Sequence, residues 1–153
     1  MATLSRAAGV GRNTFYEHFA DVNAVLREAR SAALGGVVRE LERAEAAART
    51  PIEKLRAVAR AWVTSVAAGG EMLRASLDAS GAQGAAADAP LHRVLTRIAA
   101  EARSAGATSA APESLRVWAA VGAFEIVARR LGADADVALA SRTLADLAVR
   151  MFR

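Results

Sequence analysis

A chain of 153 residues without a single cysteine has no disulfide framework, no thiolate metal site and no cysteine nucleophile, so a hydrophobic core alone must hold it together. Apolar residues reach 54% while aromatics stop at 5%; alanine fills much of the gap, and as the strongest helix former it excludes a sheet protein and predicts an all-α fold. The formal charge of +4 is spread along the chain and singles out no partner, no apolar run approaches the roughly 20 residues that cross a bilayer, and no export signal opens the sequence, so the expectation is a cytoplasmic chain without membrane contact.

A first helical run ends at Gly9, where glycine suits a left-handed helix end, and a second occupies Arg12 to His18 after a short turn. Asp21 is placed to cap a third run reaching about Ala48, along which Val22, Val25, Leu26, Ala29, Ala33, Val37 and Leu41 recur on one face. Gly35 and Gly36 lie inside it, each disfavoured by about 1 kcal/mol relative to alanine, and so mark either a close contact or a soft joint. Thr50-Pro51-Ile52-Glu53 combines a threonine cap, an N-terminal proline and a glutamate three residues on, a capping box. The stripe behind it, Ile52, Leu55, Val58, Ala59, Trp62, Val63 and Val66, is expected to run out at Gly69-Gly70, with a separate short helix over Glu71 to Ala79. Ser80 to Ala89 reads as a loop that could flap over a pocket, followed by a helix from about Asp88–Pro90 to Ser104. Pro112 opens the next helix, whose apolar residues from Leu115 to Leu131 fall on nearly every face and predict a central helix buried from two sides. The last helix begins near Asp136 and carries Leu144, Leu147, Ala148 and Met151 at packing spacing, for a total of about eight or nine helices.

A helix-turn-helix unit crosses one helix closely over the other, and so needs a small residue mid-helix, a glycine in the turn and apolar residues at fixed offsets. Ser5, Gly9 and the set Leu4, Ala8, Val10, Phe15 and Phe19 supply these. The second helix then turns Arg12, Asn13, Thr14, Tyr16 and His18 outward. Such side chains suit a major groove, where arginine pairs with guanine, asparagine with adenine, and hydroxyls or imidazole with phosphate.

The unbroken run from Leu4 to Phe19, with Ala-Gly-Val, then Thr-Phe-Tyr, then His-Phe, resembles the DNA-binding signature of the TetR family of repressors. That resemblance implies a helix-turn-helix head over 1–30 and a helical effector-binding and dimerisation body over 31–153. It also implies the function: a ligand-responsive repressor, not an enzyme and without a cofactor, that binds a palindromic double-stranded DNA operator as a homodimer. By the same resemblance Tyr16 and His18 grip phosphates, while Arg12, Asn13 and Thr14 face base edges or nearby phosphates; Phe15 and Phe19 belong to the core of the head. Gly11, also at the interface, stands where the family has a serine or threonine cap, and Val22 where it commonly has a phosphate-touching lysine. The family head has a further helix upstream, so the head is read as incomplete. If Leu4, Val10, Phe15, Phe19 and Val25 each lost half of the roughly 1.5–3 kcal/mol that full burial supplies, the sum would rival a typical net stability of about 5–15 kcal/mol. The expectation is a truncated or misassigned start, or a poorly ordered head that binds DNA weakly.

The resemblance further implies dimerisation through the last two helices, here Glu113 to Leu131 and Asp136 to Arg153, with Ala119, Gly122, Ile126, Leu144, Leu147 and Met151 in the seam. A small apolar effector would sit between the other helices, against Trp62, Met72, Leu77, Leu95, Trp118 and Phe124, each of which could instead be plain core. The alternative reading is a dimeric helical module that binds a ligand or partner and has lost DNA recognition. Other chemistry finds little support. Gly9-Val10-Gly11 lacks the preceding strand and the lysine of a phosphate loop. His18 and His92 lie far apart, and His92 is expected in solvent. Glu42 and Glu45, beside Arg39, Arg43 and Arg49, read as a salt-laced surface.

Overall fold

The computed structural model describes residues 9, 11–81, 90–107, 109, 111–132 and 134–152; the expectations for Leu4, Ser5, Ala8 and Val10, and for 82–89 of the loop, lie outside them. Among the described residues the chain forms six helices and no strand. Gly9 takes φ +67°, the left-handed conformation expected at a helix end. Helix α1 (Arg12–His18) follows it, and α2 (Val22–Ala47) starts where the Asp21 carboxylate accepts the Ala24 N–H at 2.7 Å. Both helices begin where the sequence places them.

Helix α2 runs unbroken through Gly35 and Gly36. Among the described residues a methyl group at Gly36 would meet nothing within 4 Å, and one at Gly35 only the tip of the Arg39 side chain at 3.5 Å, so the close-contact reading is corrected: no neighbouring backbone among them approaches. With that space open and the backbone helical, Gly36→Ala is expected to raise stability by about 0.5–1 kcal/mol, chiefly by restricting the unfolded chain. A lower urea midpoint for the variant would show that the position needs glycine.

Helix α3 (Pro51–Gly81) opens on the expected capping box. Thr50 Oγ1 accepts the Glu53 N–H at 3.2 Å, while the Glu53 carboxylate accepts the N–H groups of Thr50 and Arg49 at 3.1 Å each. Those backbone donors, Thr50 first, hold the Glu53 carboxyl below its ordinary value of 4.5. A depressed carboxyl stabilises the fold above its ordinary value and loses that contribution as pH falls through the folded value. Below pH 4.5, stability is therefore expected to fall less steeply in Glu53→Gln than in the parent chain, as read by urea unfolding across pH; parallel curves would contradict this.

The separate helix expected over Glu71 to Ala79 is the continuation of α3. A Cβ at Gly69 would lie 2.9 Å from Leu73 Cβ, so the glycine leaves room for Leu73, which is 2% exposed, and does not end the helix. Helices α4 (Pro90–Ser104), α5 (Glu113–Arg130) and α6 (Val137–Phe152) complete the body. Helix α6 starts where the Asp136 carboxylate accepts the Leu139 N–H at 2.9 Å.

Helix α3 packs against α2, α4, α5 and α6, and is the central helix of the body. The expectation that α5 holds this place is corrected. Helix α5 buries one side, through Val117, Val121, Phe124 and Ala128, and leaves Leu115 and Ile126 60% and 61% exposed on the other.

One continuous core joins these helices, with Leu41 from α2, Leu55, Val63 and Val66 from α3, Leu95 and Ile98 from α4, Phe124 from α5 and Leu144 from α6. Trp62 donates its indole N–H to the Phe124 carbonyl at 2.9 Å, which satisfies the polar atom of a buried aromatic residue. Its ring lies tilted against that of Phe124, with centroids 6.3 Å apart. Glu45 is buried and accepts Arg97 Nε at 3.2 Å and Nη2 at 2.5 Å, tying α2 to α4. The salt-laced surface expected around Glu45 is thus corrected to an interhelical bridge. Lys54 and Glu101 form a second, α3 to α4, at 2.6 Å. His92, expected in solvent, is half-buried with its ring 4.4 Å from that of Trp118.

Candidate nucleic-acid interface

A seven-residue helix has too few internal hydrogen bonds to be stable alone, so its placement depends on what flanks it. Left-handed Gly9 turns the chain into α1, and the Asp21 cap turns it into α2. Along α1, Asn13, Thr14, Glu17 and His18 are exposed, Tyr16 is 44% exposed, and Gly11 just before it is exposed too. The side chains of Arg12 and Phe15 lie outside the described set. Phe19, expected inward, is half-buried. Two turns of helix therefore offer an amide, a hydroxyl, a phenol and an imidazole from one short rod, the donor and acceptor types that read base edges and phosphates.

Charge contributes little to this surface. From residue 9 to residue 30, Arg12, Arg27 and Arg30 face Glu17, Asp21 and Glu28, an even balance. Recognition here would rest on hydrogen-bond geometry more than on attraction at a distance.

Helix α2 links this rod to the body. Its 26 residues span about 39 Å at roughly 1.5 Å per residue. No residue before Val37 is buried; Val37, Leu41 and Glu45 anchor its far half. Helix α2 is thus a stalk gripped at one end.

At the other end of the molecule, the seam residues divide. Ala119, Ile126 and Leu147 are exposed and Gly122 and Met151 half-buried, but Leu144 is 1% exposed inside the protomer's own core and has nothing to offer a partner. On α5, Leu115, Ala119, Gly122 and Ile126 recur at the spacing of a helix–helix seam, directly opposite the buried side. Leu115 and the 55% exposed Leu139 escaped the sequence reading. The all-round apolar pattern of α5 is the signal for Leu115, since it is the sum of two stripes; Leu139 lies on α6.

The residues nominated for the effector pocket fall into three groups. Trp62, Leu95 and Phe124 are packed in the core, Trp118 is half-buried with its ring tilted against that of His92, and the side chains of Met72 and Leu77 lie outside the described set. Two surface hollows, of about 660 Å³ between α3 and α6 and about 370 Å³ near Pro51 and Phe152, are lined by other residues.

Solved structures superpose on nearly the whole of this chain. A bacterial regulatory protein in the tetR family from Rhodococcus superposes with a TM-score of 0.76 over 99% of this chain and 84% of its own, at 18% identity. PfmR, a TetR-family transcriptional regulator from Thermus thermophilus, gives 0.74 over 96% and 85% at 20% identity. The chain has the TetR-regulator fold. A TetR-family transcriptional regulator from Streptomyces coelicolor agrees, with a TM-score of 0.69 over 99% and 82% at 16% identity. No protein-family model and no curated protein matches the sequence. At these identities what is shared with TetR regulators is the fold.

Proposed function

We propose that this protein is a DNA-binding transcriptional regulator that inserts α1 into the major groove of a palindromic operator and acts as a homodimeric, ligand-responsive repressor. The observation that carries the reading is the exposure of Asn13, Thr14, Tyr16 and His18 on one short helix set between Gly9 and Asp21. Asn13 suits an adenine edge, and Tyr16 and His18 suit flanking phosphates. Two-fold pairing through the outward stripe of α5 and the exposed Leu147 of α6 would present two such helices to half-sites roughly 34–36 Å apart. A small apolar effector entering beside Trp62, Leu95 or Phe124 would have to displace core packing, one entering beside Trp118 its contact with His92, and α2 would pass the change to the head. No helix among the described residues is long and apolar enough to cross a membrane, in keeping with a cytoplasmic setting.

Titration of the chain against the DNA flanking its own gene, at two salt concentrations, tests this. Specific binding is expected to exceed binding to unrelated duplex by roughly 10³-fold or more at physiological salt and to retain that ratio as salt rises. Equal affinity for both duplexes at both salts would instead favour a helical module without operator recognition.

A further inference from the structure

The hollow of about 660 Å³ between α3 and α6 is lined by three arginines, Arg56 and Arg60 from α3 and Arg142 from α6. Asp146 is the one acidic residue on its wall. Arg56 and Arg60 are four residues apart, on the same face of α3, where like charges repel. Four other arginines find carboxylates: Arg43 meets Glu40, Arg97 meets Glu45, Arg103 meets Glu113 and Arg129 meets Glu125. Among the described residues no ion pair or hydrogen bond engages Arg56, Arg60 or Arg142, although Asp146 shares their groove. Three guanidinium charges thus share the wall with one carboxylate, which leaves the groove with a net positive charge. Beside the arginines the wall includes Thr64 and Val137, so the groove can accept both an anionic group and a carbon skeleton.

We infer that this groove is a binding site for a small organic polyanion, carrying phosphate or several carboxylates, held by Arg56, Arg60 and Arg142. A planar guanidinium binds either group with two parallel hydrogen bonds, and three of them around one hollow favour a ligand with at least two negative charges. Operator DNA does not fit the place. Arg56 and Arg60 sit in the early turns of α3, and Arg60 lies beside Glu40 and Ala44 of α2, roughly 27–33 Å of helix from the end of α2 that meets α1. The site also lies apart from the core positions Trp62, Leu95 and Phe124, and it is independent of whether α1 reads DNA.

Calorimetric titration of the full chain with pyrophosphate, ATP and citrate at constant ionic strength tests the assignment. At least one of the three is expected to bind saturably at one site per chain, pyrophosphate and ATP pointing to phosphate and citrate to carboxylate. Arg142→Gln and the double variant Arg56→Gln/Arg60→Gln are expected to weaken that binding at least about tenfold, the effect of losing one or more charge-assisted contacts. Arg150→Gln, which removes an exposed arginine of α6 outside the groove, is expected to leave it unchanged. The replaced side chains are exposed, and circular dichroism verifies that each variant is folded. Absence of saturable binding to all three probes, or an equal loss in Arg150→Gln, would overturn the site.

Discussion

Replacing Phe124 by alanine is expected to cost about 3–5 kcal/mol, the largest single loss in the body. The ring is 0% exposed, and it meets the tilted Trp62 indole at the point where α3, the central helix, packs against α5. Removing it leaves a cavity, while the hydrogen bond from Trp62 survives because its acceptor is the backbone carbonyl of residue 124. Against a typical net stability of about 5–15 kcal/mol, such a loss brings the variant close to unfolding at physiological temperature. Urea unfolding followed by far-ultraviolet circular dichroism measures it, with Leu115→Ala, at a 60% exposed site, expected to change stability by less than about 0.5 kcal/mol if the chain is monomeric. A cost below about 1 kcal/mol for Phe124→Ala would mean that α3 and α5 do not meet as described.

The second large effect is expected at the outward face of α5. Ile126 is 61% exposed in the protomer, so Ile126→Asp leaves the isolated fold nearly unchanged. In the proposed dimer the same position is buried, and two-fold symmetry brings in two carboxylates, each desolvated at a cost of several kcal/mol. Dimer dissociation is expected to become easier by at least about 10³-fold, since roughly 4 kcal/mol corresponds to that factor. Sedimentation equilibrium over a range of protein concentrations reads this directly. A dimer that resists the substitution would place the seam elsewhere; a variant that no longer folds would show that Ile126 is not on the surface, which circular dichroism detects.

Local chemistry was readable from the chain alone. The left-handed turn at Gly9, the span of α1, the Asp21 cap and the Thr50–Glu53 box all depend on residues within four positions of one another, and each appears where the spacing puts it. The exposure of Asn13, Thr14, Tyr16 and His18 follows from the same short-range periodicity. Contacts between distant residues were not readable. Glu45 looked like one more surface carboxylate because Arg97, its partner, lies 52 positions away on another helix. His92 looked solvated because nothing near it in sequence announces Trp118. Gly69 looked like a stop, since a glycine that makes room for a neighbour and one that ends a helix have the same signature until Leu73 is seen to be buried beside it. The two stripes of α5 merged into one all-round pattern because periodicity reports how apolar a face is and says nothing of what covers it.

That α1 is the surface that meets DNA is tested most directly by fluorescence anisotropy of the labelled flanking duplex with Asn13→Ala and the parent chain side by side. Asn13 is exposed on α1, so its loss leaves the fold intact and removes one base contact. The expected result is an affinity for the flanking duplex reduced about 5- to 150-fold, the equivalent of roughly 1–3 kcal/mol, with affinity for an unrelated duplex unchanged. Identical curves for Asn13→Ala and the parent chain on the flanking duplex would contradict it.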